Sequence, residues 1–355
     1  MTVLKDHIRA LGDLFMPRVC LVCGRPLGLR ERHLCLACAA DVPYTRFWLQ
    51  AHNPLADRFN AVLERHRGTE PMDYAYAAAL IYYKGDYRNI PRALKYHGDL
   101  AAGRFFGAHL GRRLAAAPHF SDIDLIIPVP LHWTRRWSRG YNQAEILAQA
   151  ISSAFSSALA PPAAGHNEGA SVIPDLTVTP GLTRNLPVCR TDLLVRARRT
   201  RTQTRLSVEQ KARNVASAFI VPERFGLFNR LRHSWIDYLV EKRISPPHSR
   251  LENLVGQPGE PRHFRRENVV GKHGNPHHSR LENLIGKSGT PRHSRSDRES
   301  PAAILASARH ILLIDDTFTT GATLYACYAA LRPYTSARIS IATLAAVEGT
   351  PSGGP

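Results

Sequence analysis

The stretch from Ile311 to Thr323 combines residue types that can hold a phosphorylated sugar. An apolar run, Ile-Leu-Leu-Ile, is followed by Asp315 and Asp316, and then by threonines around a single glycine. Backbone N–H groups at the start of a helix, with hydroxyl donors beside them, bind phosphate. Two carboxylates cannot grip phosphate directly, but they can hold sugar hydroxyls or a divalent metal ion. This order of groups predicts a site for a phosphorylated sugar.

Two other readings of this stretch are weaker. Two solvated acids that cap the next helix would explain one carboxylate, but neither the second one nor the threonines at 317, 319, 320 and 323. The acidic strand of a P-loop ATPase also ends in paired acids, but it needs a Gly-x4-Gly-Lys-Ser/Thr partner. The Gly-Lys-Ser at 286–288 has Leu281 where the first glycine belongs, so this reading fails.

Four cysteines form two Cys-x2-Cys pairs whose spacing is typical of a metal site. Each pair presents two thiolates to one metal, and Gly24 permits the backbone turn that such a knuckle needs. Disulfides and a thioredoxin-like redox pair are the alternatives, but two pairs occur and neither follows a βαβ strand. We therefore predict a closed structural zinc site, in a short N-terminal ribbon, held by Cys20, Cys23, Cys35 and Cys38.

These groups need a scaffold, and the apolar patterns predict an α/β protein whose parallel sheet is flanked by helices. Strands are predicted at 73–83, 123–129, 193–195, 218–221, 311–314 and 339–347, and helices at 90–97, 100–116, 140–159 and 207–214. The N-terminal residues 1–18 have apolar residues at helical spacing, which predicts a short amphipathic helix.

Two segments interrupt this pattern. Residues 160–187 are rich in proline and glycine and are predicted to form a loop. Residues 224–302 contain a 15-residue repeat that begins at His248, His263, His278 and His293. Each repeat is too short for a solenoid and has few apolar side chains, so we predict a disordered insert. Metal or polyanion binding by its histidines and arginines is the less favoured alternative.

Composition limits the class of protein. With 355 residues the chain has room for about two domains. Its formal net charge of +18 favours polyanionic partners, such as a polyphosphorylated substrate or nucleic acid. No apolar run is long enough to span a membrane, and charged residues interrupt any signal-peptide pattern. We therefore expect a cytoplasmic protein with reduced cysteines. The sequence leaves the oligomeric state open.

Taken together, these motifs carry two resemblances. Asp315, Asp316, Thr320, Gly321 and Thr323 resemble the phosphoribosyl-diphosphate (PRPP) motif of type I phosphoribosyltransferases. With the cysteine pairs, the Pro-Val-Pro at 128–130 and the Arg-Gly-Tyr-Asn-Gln at 139–143 in this order, the chain resembles the competence-protein ComF family, which includes GntX-like proteins.

This resemblance implies a domain arrangement. It implies an N-terminal helix and zinc ribbon over 1–68 and a phosphoribosyltransferase-like domain over 72–222 and 303–349. The loop and the repeats depart from the compact family pattern.

The resemblance also implies roles for individual residues. Asp315, Asp316 and Arg139 are expected to be catalytic. PRPP is expected to contact Thr317, Thr319, Thr320, Gly321, Ala322, Thr323, Gly140, Thr200 and Gln203. The last two lie in a basic loop that closes over PRPP in such enzymes. Lys84 and Lys95 lie in a family motif whose role the sequence does not define.

The implied activity is transfer or hydrolysis of the phosphoribosyl group with Mg²⁺ as cofactor, that is, a glycosyltransferase reaction. The alternative is a non-catalytic module of the same fold, which acts with nucleic acid or the competence machinery in DNA uptake. The basic charge of the chain fits both, and no motif specifies the acceptor substrate.

Overall fold

The computed structural model describes residues 17–66, 73–159, 186–198, 218–223 and 300–348. The predictions for the N-terminal helix, the helix at 207–214 and most of the loop at 160–187 therefore lie outside the described residues. So do all but the last three residues of the repeat-containing insert and the candidate residues Thr200 and Gln203.

Five parallel strands form the central sheet in the spatial order β1-β7-β6-β2-β3. Their bounds are β1 Ala77–Tyr82, β2 Leu125–Pro128, β3 Val188–Cys189, β6 His310–Phe318 and β7 Arg338–Ala346. The remaining strands, β4 Val195–Arg196 and β5 Phe219–Ile220, pair antiparallel in a separate two-stranded sheet.

Eight α-helices of the described residues connect and cover these strands. In chain order they are α1 Leu36–Ala40, α2 Pro54–Arg65, α3 Asn89–Tyr96, α4 Leu100–Ala116, α5 Trp133–Arg139, α6 Gln143–Leu159, α7 Pro301–Ser307 and α8 Ala322–Leu331. None of them combines the length and the apolar content that a bilayer crossing requires.

The strand β6 lies inside the sheet and is apolar on both of its faces. Ile311 and Leu313 pack in one core cluster with α2 and α8, whereas Leu312 and Ile314 pack in a second cluster with α4 and α6. Successive side chains of a strand point to opposite faces, so a continuous apolar run is what a strand covered on both sides requires.

Two parallel helices, α4 and α6, approach each other closely because α4 has glycine at every fourth position. A Cβ atom at Gly107 would lie 2.9 Å from the Cβ of Ala150, and one at Gly111 would lie 2.8 Å from the Cβ of Ala154. No larger side chain fits at these two positions without a shift of the helices. The glycines thus fix how α6 lies against the sheet.

The structure confirms an α/β protein with a parallel sheet between helices, and α4 has the bounds predicted. Two expectations were wrong in detail. The helix predicted from residue 140 begins at Gln143, because Gly140 adopts φ +81° and ends α5. The strands expected near 193–195 and 218–221 do not extend the main sheet.

Candidate functional site

The acid pair lies within β6 rather than at its tip, because the strand continues through Thr317 to Phe318. Asp315 pairs in register with Thr343 of β7. Since successive side chains of a strand alternate, Asp315 shares the face of Leu313 and Asp316 that of Ile314. The two carboxylates are thus divided between the α8 side and the α3–α4 side of the sheet.

On the α3–α4 side, Asp316 forms an ion pair with a lysine far away in sequence. The Nζ of Lys95, in the last turn of α3, lies 3.3 Å from Oδ2 of Asp316. The Asp316 side chain is 11% exposed and that of Lys95 38% exposed, so the lysine is the more solvent-accessible partner. Burial lowers the pKa of Lys95, but the carboxylates of Asp316 and Asp315 outweigh burial and raise it above its ordinary value.

On the α8 side, the carboxyl group of Asp315 has a raised pKa. Burial, and then the negative charge of Asp316, raise the pKa of Asp315 to about 7, although the N–H of Asp316 donates a hydrogen bond to its Oδ1. The positive charges of Lys95 and Arg196 oppose this rise. Near neutral pH, Asp315 is therefore ready to gain or lose a proton when a ligand changes the local charge.

The loop after β6 leads into a helix N-terminus that no side chain caps. Gly321 is the N-cap residue of α8. Its φ is +76°, a backbone conformation that residues other than glycine rarely adopt. A Cβ at this position would also lie 3.0 Å from Cζ of Phe318. No side-chain cap therefore accepts from the first N–H groups of α8, at Ala322 and Thr323, and the residue before them is a glycine. A helix N-terminus of this kind can bind a phosphate.

The guanidinium of Arg58 holds this loop from the side of α2. Its Nη2 donates a hydrogen bond of 2.6 Å to the carbonyl oxygen of Thr319, and its Nη1 donates one of 2.7 Å to that of Val347. It also lies 5.2 Å from the centre of the Phe318 ring. Arg58 thus ties the ends of β6 and β7 together and brings a positive charge to the loop.

The segment Arg139–Tyr141 contacts α3, the helix that carries Lys95. Arg139 is the last residue of α5, and Gly140 is its C-cap. The hydroxyl of Tyr141 donates a hydrogen bond to the carbonyl oxygen of Leu94, the residue before Lys95. Leu94 thus contacts the segment 139–141, and the next residue, Lys95, contacts Asp316. The two predicted site segments therefore meet at neighbouring residues of α3.

Three of the basic residues at the site were not identified as site residues from the sequence: Lys95, Arg58 and Arg196. Only Lys95 lies in a motif that was noted, and its partner Asp316 is more than two hundred residues away in the chain. Arg196 begins an arginine-rich stretch that continues to Arg205, and nothing in the sequence distinguishes it from the other arginines there. Arg58 lies in an ordinary amphipathic helix, so the sequence offers no signal for it.

The second site is the cluster of four cysteines, and its geometry fits a metal ion. The ligand atoms of Cys20, Cys23, Cys35 and Cys38 all lie within 4.8 Å of one another. The sulfurs of Cys23 and Cys35 are 3.7 Å apart. Tetrahedral zinc with Zn–S bonds of about 2.3 Å requires sulfurs about 3.8 Å apart. The four thiols could therefore hold one metal ion with little movement.

Hydrogen-bond donors stabilise the thiolate of Cys35, whereas burial and the neighbouring cysteines raise the pKa of Cys38. The N–H of Cys35 donates to Sγ of Cys20 at 3.4 Å, and Arg25 donates to Sγ of Cys35 at the same distance. The N–H of Cys38 is the main cause that lowers the pKa of Cys35 to about 6. Metal binding needs deprotonated sulfur, so the contacts of Cys35 favour the form of this residue that binds a cation.

The cysteine module packs against the rest of the protein, and Cys20, Leu34 and Cys35 belong to the same buried cluster as α4. The hydroxyl of Tyr87 donates a hydrogen bond of 2.9 Å to the carbonyl oxygen of Cys38. The ring of His33 lies 5.2 Å from that of Phe105 on α4. The cluster thus holds a module that contacts α4, the helix that follows Lys95 and α3 in the chain.

No protein-family model and no curated protein matches this chain. The geometry of the two sites is therefore what supports a function.

Proposed function

We propose that the protein is a ComF-like phosphoribosyltransferase that binds PRPP, with Mg²⁺ as cofactor, at the carboxyl ends of β6 and β2. One observation carries the proposal: β6, inside a parallel sheet, carries an acid pair near its carboxyl end, and the loop that follows it leads through Gly321 into the N-terminus of α8. Open parallel sheets bind ligands at the carboxyl ends of their strands. The type I phosphoribosyltransferase fold and the family membership are part of this proposal.

In this proposal, the loop after β6 binds the 5′-phosphate of PRPP. Thr319 is exposed and Thr320 half-buried, so their hydroxyls are accessible. The N–H groups of Gly321, Ala322 and Thr323 supply further donors at the positive end of the α8 dipole. Arg58 keeps the loop in place through the Thr319 carbonyl and adds a positive charge beside the phosphate.

In this proposal the ribose lies across the carboxyl end of β6, so that Asp315 on one side of the strand and Asp316 on the other bind its hydroxyls, directly or through Mg²⁺. Carboxylate oxygens are the hard donors that Mg²⁺ prefers, and the ammonium group beside Asp316 is a cation already held by this carboxylate. Mg²⁺, when bound, would supply positive charge to the diphosphate. Asp315 loses its proton as positive charge approaches, since its pKa is about 7.

The leaving diphosphate is assigned to Arg139 and the backbone of Gly140, together with Thr200 and Gln203. A guanidinium neutralises the diphosphate while glycine lets the backbone approach it closely. The reaction breaks the bond between ribose C1 and the diphosphate oxygen, and its electron pair leaves with the diphosphate. C1 then bonds to a nitrogen of the acceptor or to the oxygen of water, which releases a proton. Charge stabilisation, without covalent catalysis, lowers the barrier.

Calorimetry with PRPP and Mg²⁺ tests the proposal. Wild-type protein should bind PRPP, and Asp316→Asn should weaken binding by about 10–100-fold, since one charge-assisted hydrogen bond is lost. Asp86→Asn, an exposed acid outside the site, is the matched control. Screening acceptors for diphosphate release would then identify the reaction. Absence of PRPP binding at millimolar ligand would overturn the proposal.

A non-catalytic nucleic-acid-associated module is the second candidate, and α5 favours it. Trp133 and Trp137 are 40% and 51% exposed on this short helix, next to Arg135, Arg136 and Arg139. Aromatic rings among arginines are a surface on which unpaired bases stack. Under this alternative, single-stranded DNA should bind with strong salt dependence, Trp137→Ala should weaken it, and Asp316→Asn should not.

We further infer that the metal of the cysteine cluster is zinc, in a structural ribbon. Four thiolates fill a tetrahedral site and leave no position for substrate, so the metal stabilises the module rather than taking part in the reaction. The close approach of the four sulfurs supports this assignment.

A further inference from the structure

We propose that Lys95 is a built-in counter-ion of Asp316, which occupies this carboxylate in the ligand-free protein and which a divalent cation must displace. The inference rests on the proposed function for the identity of the ligand. It adds a residue that controls how tightly the site binds its cation.

The position of Lys95 suits a displaceable partner. Its Nζ lies 3.3 Å from Oδ2 of Asp316, and its side chain is 38% exposed. Water can solvate the ammonium group of Lys95 when the pair opens, so the lysine itself tolerates the loss of its partner. An unpaired Asp316, with a largely buried side chain, instead needs another cation, so the lysine leaves when a cation replaces it.

The backbone that carries Lys95 is fixed, so the movement is confined to its side chain. Ile90 and Leu94 of α3 are buried. Leu94 packs so closely on α4 that a Cβ at Gly103 would lie 2.7 Å from its Cδ1. The Leu94 carbonyl accepts a hydrogen bond from Tyr141. Only the flexible four-carbon chain of Lys95 is free to swing into solvent.

The charges at the site show why displacement requires a cation. Asp316 carries a negative charge that the ammonium group of Lys95 balances at 3.3 Å. When Lys95 leaves, the largely buried carboxylate of Asp316 lacks a partner until a divalent cation takes the place of the ammonium group. Lysine and metal therefore compete for Asp316, so removing the lysine should tighten metal binding.

The test measures Mn²⁺ binding to the full-length, zinc-loaded protein by electron paramagnetic resonance at pH 8. Lys95→Met should tighten Mn²⁺ binding on the order of 5–10-fold, the size expected when one competing charge is removed. Lys95→Arg, which keeps the charge, should remain near wild type. Lys84→Met is the matched control, because Lys84 pairs with the exposed Glu348 at 3.1 Å. Lys95→Gln repeats the measurement if the methionine variant fails to fold.

The gain must also depend on Asp316. In an Asp316→Asn background, Lys95→Met should change Mn²⁺ affinity less than about twofold, since the two substitutions act on one contact. The inference is overturned if Lys95→Met leaves Mn²⁺ affinity unchanged or weakens it, or if the gain persists without Asp316. If wild type binds PRPP but the gain is missing, only the counter-ion role falls. If the protein binds neither PRPP nor Mn²⁺, the proposed function falls with it.

Discussion

Arg58 and Thr319 are joined by a hydrogen bond of 2.6 Å, from the guanidinium Nη2 to the carbonyl oxygen. The contact joins α2 to the loop that follows β6, the strand with the acid pair. Since the same guanidinium also holds Val347 at the end of β7, one side chain fixes both strand ends at the candidate phosphate site.

Replacing Arg58 by methionine, which keeps the alkyl chain, should loosen this loop. We expect a loss of about 1–2 kcal/mol in the free energy of unfolding, since two hydrogen bonds from a charged group are removed. PRPP affinity should fall by about 10-fold. Urea denaturation and calorimetry measure the two effects. Arg65→Met, an exposed arginine on the same helix, is the control and should leave both unchanged.

Asp315→Asn should stabilise the ligand-free protein at alkaline pH. The folded-state pKa of Asp315 is raised to about 7, so its contribution to stability is present below the unfolded pKa and is lost as pH rises through 7. The asparagine has no charge to bury and can still accept the N–H of Asp316. We expect a gain of about 1–3 kcal/mol at pH 8.5 and little difference at pH 4. Thermal melts across this range would contradict the assignment if the gain did not grow with pH.

Acid should destabilise the protein through His310, at the amino end of β6. Its Nδ1 lies 2.6 Å from Oδ1 of Asp122 and its Nε2 lies 2.8 Å from Oγ of Ser340. Burial lowers the pKa of His310, although Asp122 opposes this, and Arg338 and Asp124 also act on the ring. The neutral ring can donate to Asp122 and accept from Ser340.

The stability that His310 contributes is present above the unfolded histidine pKa of about 6.5 and is lost as pH falls through the lower folded value. Unfolding free energies measured from pH 7.5 to 5 should fall by at most about 1.4 kcal/mol per pH unit from this group. His310→Gln should be less stable at pH 7.5 and less sensitive to pH. An unchanged slope in the variant would exclude His310 as the cause.

Gly107→Ala should destabilise the helix pair α4–α6. The new Cβ would lie 2.9 Å from the Cβ of Ala150 and 3.2 Å from the backbone oxygen of Leu147, and backbone cannot move aside cheaply. We expect a loss of about 1–3 kcal/mol despite the better helix propensity of alanine. Gly28→Ala is the control, because its Cβ would meet only the Glu31 side chain, at 3.4 Å, which is an ordinary van der Waals distance. Equal denaturation midpoints for the two variants would contradict this packing argument.

Purified protein should contain one zinc ion per chain. Cys35→Ser combined with Cys38→Ser should abolish it, whereas Cys189→Ser, outside the cluster, should not. Loss of the metal should unfold the cysteine module first, because a segment this small has little core of its own. Elemental analysis of anaerobically prepared protein, with a melt in the presence of chelator, measures both effects. Zinc retained in the double variant would show that other residues bind it.

The sequence alone determined the parts of this protein that depend on local pattern. The apolar run Ile311–Ile314 predicted a strand buried on both faces, and the spacing of apolar residues in 100–116 predicted α4 with its observed bounds. The four cysteines were predicted to share one site because each pair is local and the metal-ligand spacing is specific. Side-chain periodicity and turn geometry act over a few residues, so a sequence can reveal them.

Only the tertiary structure decided which distant groups meet. The pairing of Lys95 with Asp316 and of Arg58 with Thr319 depends on how α3 and α2 pack on the sheet, which no local pattern records. The same holds for the pKa of Asp315, because burial and neighbouring charge arise from packing. The sequence did not predict that β6 continues to Phe318, because aspartates are unfavourable in a strand. The strand continues because β7 supplies hydrogen-bonding partners, which only the folded protein provides. Charge balance at the site is thus a property of the fold.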